Sequence, residues 1–179
     1  MRLFIAIPLS DRIKAMLQEV QQSLPEGIRR QPEDQMHLTL RFLGETSPNR
    51  TKKIKDKLGK IELPAFALPI KGAGTFPPHK KYRIIWAGVQ PVKPLMNLQK
   101  KVEEACTESG LEPEDRTYIP HITLGKVKKT SSNEVKKWVK TNGKGIKFET
   151  KASRFIIYES TFTGHSVKHN PKEKYCLNY

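Results

Sequence analysis

The sequences MHLTLRFLG, at residues 36–44, and HITLGKV, at residues 121–127, decide the fold. Both alternate polar with apolar residues, which is the pattern of a β-strand with one buried face. Each begins with a His-x-Thr-Leu tetrapeptide, first at His37 and again at His121. Because successive side chains point to opposite faces of a strand, the His and Thr of each motif share a face. We therefore predict two histidine-bearing strands, at 36–43 and 118–127.

Around each predicted strand the chain repeats one order of elements: strand, helix, histidine strand, basic helix and further strands. The predicted helices begin after Ser10, at Pro48 with Ser47 as the N-cap, at Pro94, and after Ser131, which forms a capping box with Glu134. The other predicted strands, in chain order, cover 3–9, 65–73, 82–89, 146–150, 152–162 and 174–179. A Gly/Pro-rich loop that runs through Gly72, Gly74, Pro77 and Pro78 joins the second and third of these, and a polar loop covers 163–173.

This weak internal duplication predicts the fold class. We expect an α+β protein with two pseudo-duplicated lobes, each an antiparallel-rich sheet flanked by helices, facing a central cleft. The whole chain, 1–179, would form one bilobal domain. One lobe would come mainly from 10–80 and the other mainly from 91–160, with strands exchanged between them.

The composition is that of a basic globular protein. The 179 residues carry 33 Lys and Arg against 18 Asp and Glu, a net charge of +15 that is spread over both halves. Such an excess favours polyanionic partners, nucleic acid first. With no export signal and no long apolar run, we expect a cytoplasmic protein, outside the membrane and monomeric, whose two cysteines, Cys106 and Cys176, form no disulfide.

The paired motifs indicate acid–base chemistry at phosphorus. One neutral imidazole can take a proton from attacking water while a second, protonated imidazole gives one to the leaving oxygen. An unperturbed histidine titrates near pH 6.5, so we expect a bell-shaped rate profile around neutrality. The hydroxyls of Thr39 and Thr123 can donate to phosphate oxygens. The spacing yields the pair His37 and His121 but does not say which is acid and which is base.

For other polar and aromatic residues the sequence gives weaker evidence of a role in substrate binding. Arg41 shares strand parity with His37, so its side chain either reaches the cleft or stays at its rim. Phe76 and Tyr82 can stack on a base, although packing explains them equally well. The remaining histidines, which we expect to be idle loop residues without metal-ligand spacing, are His79, His165 and His169. We predict no metal and no cofactor, and no phosphate-binding glycine loop indicates ATP use.

At these residues the chain resembles the RNA 2′,3′-cyclic phosphodiesterases, also called 2′-5′ RNA ligases, of the 2H phosphoesterase superfamily. The resemblance covers nearly the whole chain and rests on RLFIAI at 2–7, HLTLRFLGE at 37–45, WAGV at 86–89 and PHITLG at 120–125. It implies hydrolysis of RNA 2′,3′-cyclic phosphate ends to 2′-phosphates. It also implies that His37 is the proton donor and His121 the acceptor.

The sequence departs from that family at Lys126. Members commonly have Arg two residues after the second Thr-Leu, where a phosphate or nucleotide contact is expected. Lysine keeps the charge but loses the planar fork. Strict alternation would turn Lys126 away from His121 unless Gly125 permits a bulge.

Two other functions fit the same residues. The reverse reaction, ATP-independent 2′-5′ joining of RNA ends, would use the same two histidines by microscopic reversibility. A basic RNA-binding protein without catalysis would explain the net charge but would not require the paired motifs.

Overall fold

The computed structural model describes residues 1–76 and 83–178. It is an α+β fold, as predicted, with four helices among the described residues: α1 (Asp11–Gln21), α2 (Pro48–Leu58), α3 (Lys93–Thr107) and α4 (Ser132–Thr141). The strands of this part of the chain are β1 (Arg2–Pro8), β2 (Ile28–Arg30), β3 (His37–Glu45), β4 (Phe66–Phe76), β5 (Ile84–Val89), β6 (His121–Val127), β7 (Lys147–Ala152), β8 (Arg154–Phe162) and β9 (Val167–Cys176).

The predicted serine caps are confirmed at three helix starts. The hydroxyls of Ser10, Ser47 and Ser131 each accept a hydrogen bond from the backbone N–H three residues further on. Each cap satisfies an N–H group that has no partner within its helix. The serines thereby fix where α1, α2 and α4 begin.

The strands form two antiparallel sheets. The first has the order β3-β1-β8-β9 and the second the order β2-β6-β5-β4-β7. In each sheet the histidine strand pairs with the strand that opens its half of the chain, β3 with β1 and β6 with β5. Strand β4, from the first half, lies in the second sheet, and β8, from the second half, lies in the first.

Each histidine strand also contacts a helix of the other half. The amide nitrogen of Gln21, at the end of α1, donates to the carbonyl oxygen of Leu124 in β6 at 2.8 Å. Gln99 of α3 donates to the carbonyl oxygen of Leu40 in β3 at 3.4 Å. The apolar side chains of both strands, Leu38, Leu40, Ile122 and Leu124, are buried as the alternation predicts.

Three predicted boundaries are wrong. Gly72 and Gly74 lie inside β4 rather than in a loop. Gly74 pairs with Trp86 of β5, and a glycine is needed there because a Cβ would lie 2.3 Å from the Trp86 ring. Strand β6 begins at His121, after Pro120, not at 118. The last strand covers Val167–Cys176, not 174–179. Most of the polar segment 163–173, predicted to be a loop, belongs to this strand because it pairs with β8.

Candidate active site

The structure brings the two His-x-Thr motifs together. His37 and Thr39 of β3 and His121 and Thr123 of β6 line one cavity of about 650 Å³ between the two sheets. Among the described residues, neither threonine hydroxyl hydrogen-bonds to another protein group, so both are available to a ligand. The charged residues of the lining are all basic: it contains Arg2 and Lys126 and no described acidic residue. Such a cavity suits an anion.

A backbone carbonyl holds the imidazole of His121. Its Nδ1 lies 2.7 Å from the carbonyl oxygen of Ile119. Because a carbonyl can only accept, Nδ1 carries the proton, and in the neutral ring Nε2 keeps its lone pair. The ring also meets Phe76 edge-on, with centroids 4.9 Å apart. His121 is thus fixed in one tautomer with a basic nitrogen.

Aromatic rings surround His37. The centroid of its ring lies 4.8 Å from that of Phe4, 6.2 Å from that of Tyr158 and 5.4 Å from that of His169. Burial lowers the pKa of His37 to about 3, with further lowering by the charges of His169, Lys14 and His121.

Burial also lowers the pKa of His121, although its hydrogen bond to Ile119 opposes that shift. The sequence-based expectation that both rings titrate near pH 6.5 is therefore wrong for the free protein. Both histidines are neutral at pH 7, because burial disfavours the charged form.

A β-bulge interrupts each histidine strand directly after its threonine. In β3, Thr39 pairs with Ala6 and Arg41 with Ile5, so that Leu40 is an extra residue. In β6, Leu124 is extra in the same way. Each bulge reverses the side-chain alternation beyond it.

The bulge in β6 turns Lys126 into the cavity with the histidines. Gly125 permits it, because a Cβ there would lie 2.7 Å from Cγ2 of Ile28 and 3.0 Å from the carbonyl oxygen of Arg29. Of the two alternatives that the sequence left for Lys126, the structure thus has the second: a bulge next to Gly125 turns Lys126 to the side of His121.

The bulge in β3 moves Arg41 out of register with His37. Its guanidinium pairs with the carboxylate of Glu103 in α3 and donates to the carbonyl oxygen of Glu112 at 2.6 Å. Glu103 also accepts from the backbone N–H of Glu114 at 2.9 Å. Arg41 therefore anchors the loop before β6 to the helix. It does not line the cavity shared by the two motifs, but it does line a second cavity beside it.

A second cavity of about 660 Å³ adjoins the first, and both share His121 and Thr39. Its walls are mainly apolar and include Phe76 and Phe42, whose ring is 63% exposed. Phe42 is a site candidate that the strand parity missed, because the bulge at Leu40 that turns it into the cleft has no signal within β3 itself. The predicted stacking residue Tyr82 lies outside the described residues.

The expectation that His169 is a loop residue is wrong. It lies in β9, lines the cavity and contacts His37. His165 is exposed at the turn between β8 and β9, and His79 lies outside the described residues. No signal local to the sequence distinguishes His169, because the strand that carries it is polar throughout.

The chain belongs to the LigT-like phosphoesterase family, whose model matches residues 5–86 and 89–168. It is thus a hydrolase of phosphate esters. An RNA 2′,3′-cyclic phosphodiesterase of Thermotoga maritima is 33% identical over 91% of this chain and 88% of its own length. The Escherichia coli enzyme of that name is 28% identical over 98% of this chain and 96% of its own. The crystal structure of E. coli LigT with 3′-AMP matches with a TM-score of 0.86 at 28% identity, covering 99% of this chain and 98% of that one.

No helix among the described residues is long and apolar enough to cross a membrane. No group of three or more His, Cys, Asp or Glu within them is placed to hold a metal ion. Cys106 is buried and Cys176 exposed, and both are free thiols.

Proposed function

We propose that this protein hydrolyses RNA 2′,3′-cyclic phosphate ends to 2′-phosphomonoesters, with no metal ion or cofactor. The observation that carries the proposal is the shared cavity, in which two His–Thr pairs face an anion-attracting space. The names of the relatives support the same substrate class. Neutralising side chains and two acid–base groups are what in-line displacement at a cyclic phosphate needs.

His121 serves as the proton acceptor in this proposal. Its Nε2 takes a proton from the water that attacks phosphorus, and the carbonyl oxygen of Ile119 stabilises the imidazolium that results. A base should be neutral before the reaction and stabilised after it. The hydrogen bond at Nδ1 meets both needs.

His37 serves as the proton donor. As the new bond from water to phosphorus forms, the bond from phosphorus to O3′ breaks, and O3′ receives the proton of His37. Because the pKa of His37 is low in the free protein, the bound phosphate anion has to raise it. The hydroxyls of Thr39 and Thr123 donate to the non-bridging oxygens as charge builds there.

The apolar cavity is the proposed place of the terminal base, against Phe76 and Phe42. Tyr82 remains a second candidate for stacking, and Lys126 for a phosphate contact. We further propose that residues 1–179 act as one bilobal, monomeric unit in the cytoplasm. Light scattering on the purified protein tests the monomer.

Product analysis on an oligonucleotide that ends in a 2′,3′-cyclic phosphate tests the function. We expect a 2′-phosphate end, equal rates with and without EDTA, and loss of turnover in His37→Ala and in His121→Ala. Wild-type turnover in either variant would contradict the two-histidine mechanism. Offering a second RNA with a 5′-hydroxyl tests the reverse reaction, and joined product in excess over 2′-phosphate would replace hydrolysis with ligation.

A further inference from the structure

The imidazole of His37 depends on packing for its orientation. Among the described residues it makes no hydrogen bond, whereas His121 is held by the carbonyl of Ile119. Rings surround it instead: Phe4 is tilted by 31° against it, and His169 meets it edge-on at 78°. A proton donor held only by packing is sensitive to each ring that contacts it.

His169 is itself held in place. It pairs directly with Ser160 across the β8–β9 ladder, and the Ser160 hydroxyl lies 3.2 Å from its Nδ1. Its ring also packs edge-on against Phe4, with centroids 4.8 Å apart. The Ser160–His169 pair thus forms a fixed wall of the His37 pocket.

We propose that His169 is a positioning residue for His37, fixing the orientation of its ring and, when protonated, opposing its protonation. The proposal rests on the function proposed above, in which His37 donates the proton. Two imidazolium rings with centroids 5.4 Å apart repel each other strongly in a partly buried site.

Several charged groups face the two rings. Burial is the main cause of the lowered pKa of His37. The charge of His169 is the second cause, followed by the charges of Lys14 of α1 and His121 of β6. Tyr158 of β8 also faces His37, and burial raises its pKa, so it stays neutral.

Burial lowers the pKa of His169 too, while Asp34, in the short turn before β3, opposes that shift. Since His169 has the carboxylate neighbour, it takes up a proton before His37 as the pH falls. His37 then has to be protonated beside a positive charge.

Three variants separate positioning from charge. His169→Ala removes the ring, and we expect kcat on a nucleoside 2′,3′-cyclic phosphate to fall by about ten- to a hundredfold, with KM changed less than about twofold. His169→Phe keeps a ring of similar size, and we expect it to retain most of kcat. His165→Ala, an exposed histidine on the same hairpin, is the matched control and should behave as wild type.

The charge is tested by pH. Below the pKa of His169 the wild-type protein has a charged ring beside His37, whereas His169→Phe does not. We therefore expect kcat/KM of His169→Phe to exceed that of wild type at acid pH and to equal it at pH 8, where His169 is neutral. Histidine NMR titration of the free proteins should show the His37 midpoint at higher pH in His169→Phe.

Full kcat in His169→Ala, or an unchanged His37 midpoint in His169→Phe, would overturn the proposal. Because His169→Phe preserves packing, it reports on the charge even if His169→Ala folds poorly. The NMR titration needs no substrate. A wild-type protein that fails to hydrolyse cyclic phosphates would therefore defeat the proposed function and leave this test intact.

Discussion

Phe42 and Lys126 occupy equivalent positions in the two halves of the chain. Each lies two residues beyond an unpaired leucine, so that Phe42 pairs with Phe4 and Lys126 with Ile84. Both side chains enter the cavity that holds the two histidines. One half of the duplicated fold thus supplies an apolar ring and the other an ammonium group, as a substrate with a base and a phosphate requires.

Replacing Lys126 should weaken substrate binding. We expect Lys126→Ala to raise KM by about tenfold with a smaller change in kcat, because the proposed charged contact to the phosphate is lost. Lys126→Arg should restore KM. Lys129→Ala removes the same charge from an exposed residue that does not line the cavity, and steady-state kinetics of the two alanine variants should differ. Equal KM values would mean that Lys126 contributes only to the general positive field.

Removing a threonine hydroxyl should slow the chemical step. In Thr123→Val the β-branched shape that pairs with Trp86 is kept and only the donor is lost. We expect kcat to fall by about a hundredfold, because the proposed role of this hydroxyl is to donate where charge builds up in the transition state. Thr123→Ser retains the hydroxyl and should stay within about threefold of wild type. If single-turnover rates of Thr123→Val and Thr123→Ser agree, Thr123 is not a phosphate donor.

The alternation of residues 36–43 places His37 and Thr39 correctly because a two-residue period holds up to the bulge. Beyond Leu40 the same rule fails, and it puts Arg41 in the place that Phe42 holds. Nothing local to β3 signals that extra residue, whereas Gly125 is a signal in β6. Bulges depend on how the neighbouring strand pairs, which a single strand's sequence does not contain.

His169 illustrates a different limit. Strand β9 is an edge strand, mostly exposed, with Pro171 opposite Tyr158, so its sequence lacks the apolar alternation that reveals β3 and β6. It becomes a strand because β8 offers hydrogen-bonding groups. The contact between His169 and His37 joins the two ends of the chain, and only the tertiary fold reveals it.

The catalytic efficiency, kcat/KM, should be higher on the acid side of neutrality. Burial lowers the pKa of His37 to about 3, so the protonated donor is scarce at pH 7 and scarcer as the pH rises. Since the burial of His121 keeps the acceptor neutral, we expect kcat/KM to fall by about tenfold per unit from pH 6 to 8. In the proposed mechanism the bound phosphate raises the pKa of His37, so kcat should fall less steeply. A kcat/KM that rises over this range would contradict His37 as donor.

The stability of the site should depend on Gln21. Its buried amide donates to the carbonyl oxygens of Leu124, at the bulge of β6, and of Gln31, at 2.8 and 2.9 Å. Leucine in its place would fit the core but would leave the carbonyl of Gln31 without this donor, and we expect a loss of about 1–3 kcal/mol in the free energy of unfolding.

Gln22, the next residue, is exposed at the end of α1, and Gln22→Leu is the matched control. Urea denaturation should show a lower midpoint for Gln21→Leu and a nearly unchanged one for Gln22→Leu. Equal midpoints would show that the carbonyl of Gln31 does not need the glutamine. A lower midpoint in Gln21→Leu alone would mean that the amide of Gln21 helps to hold the segment before β3 against α1.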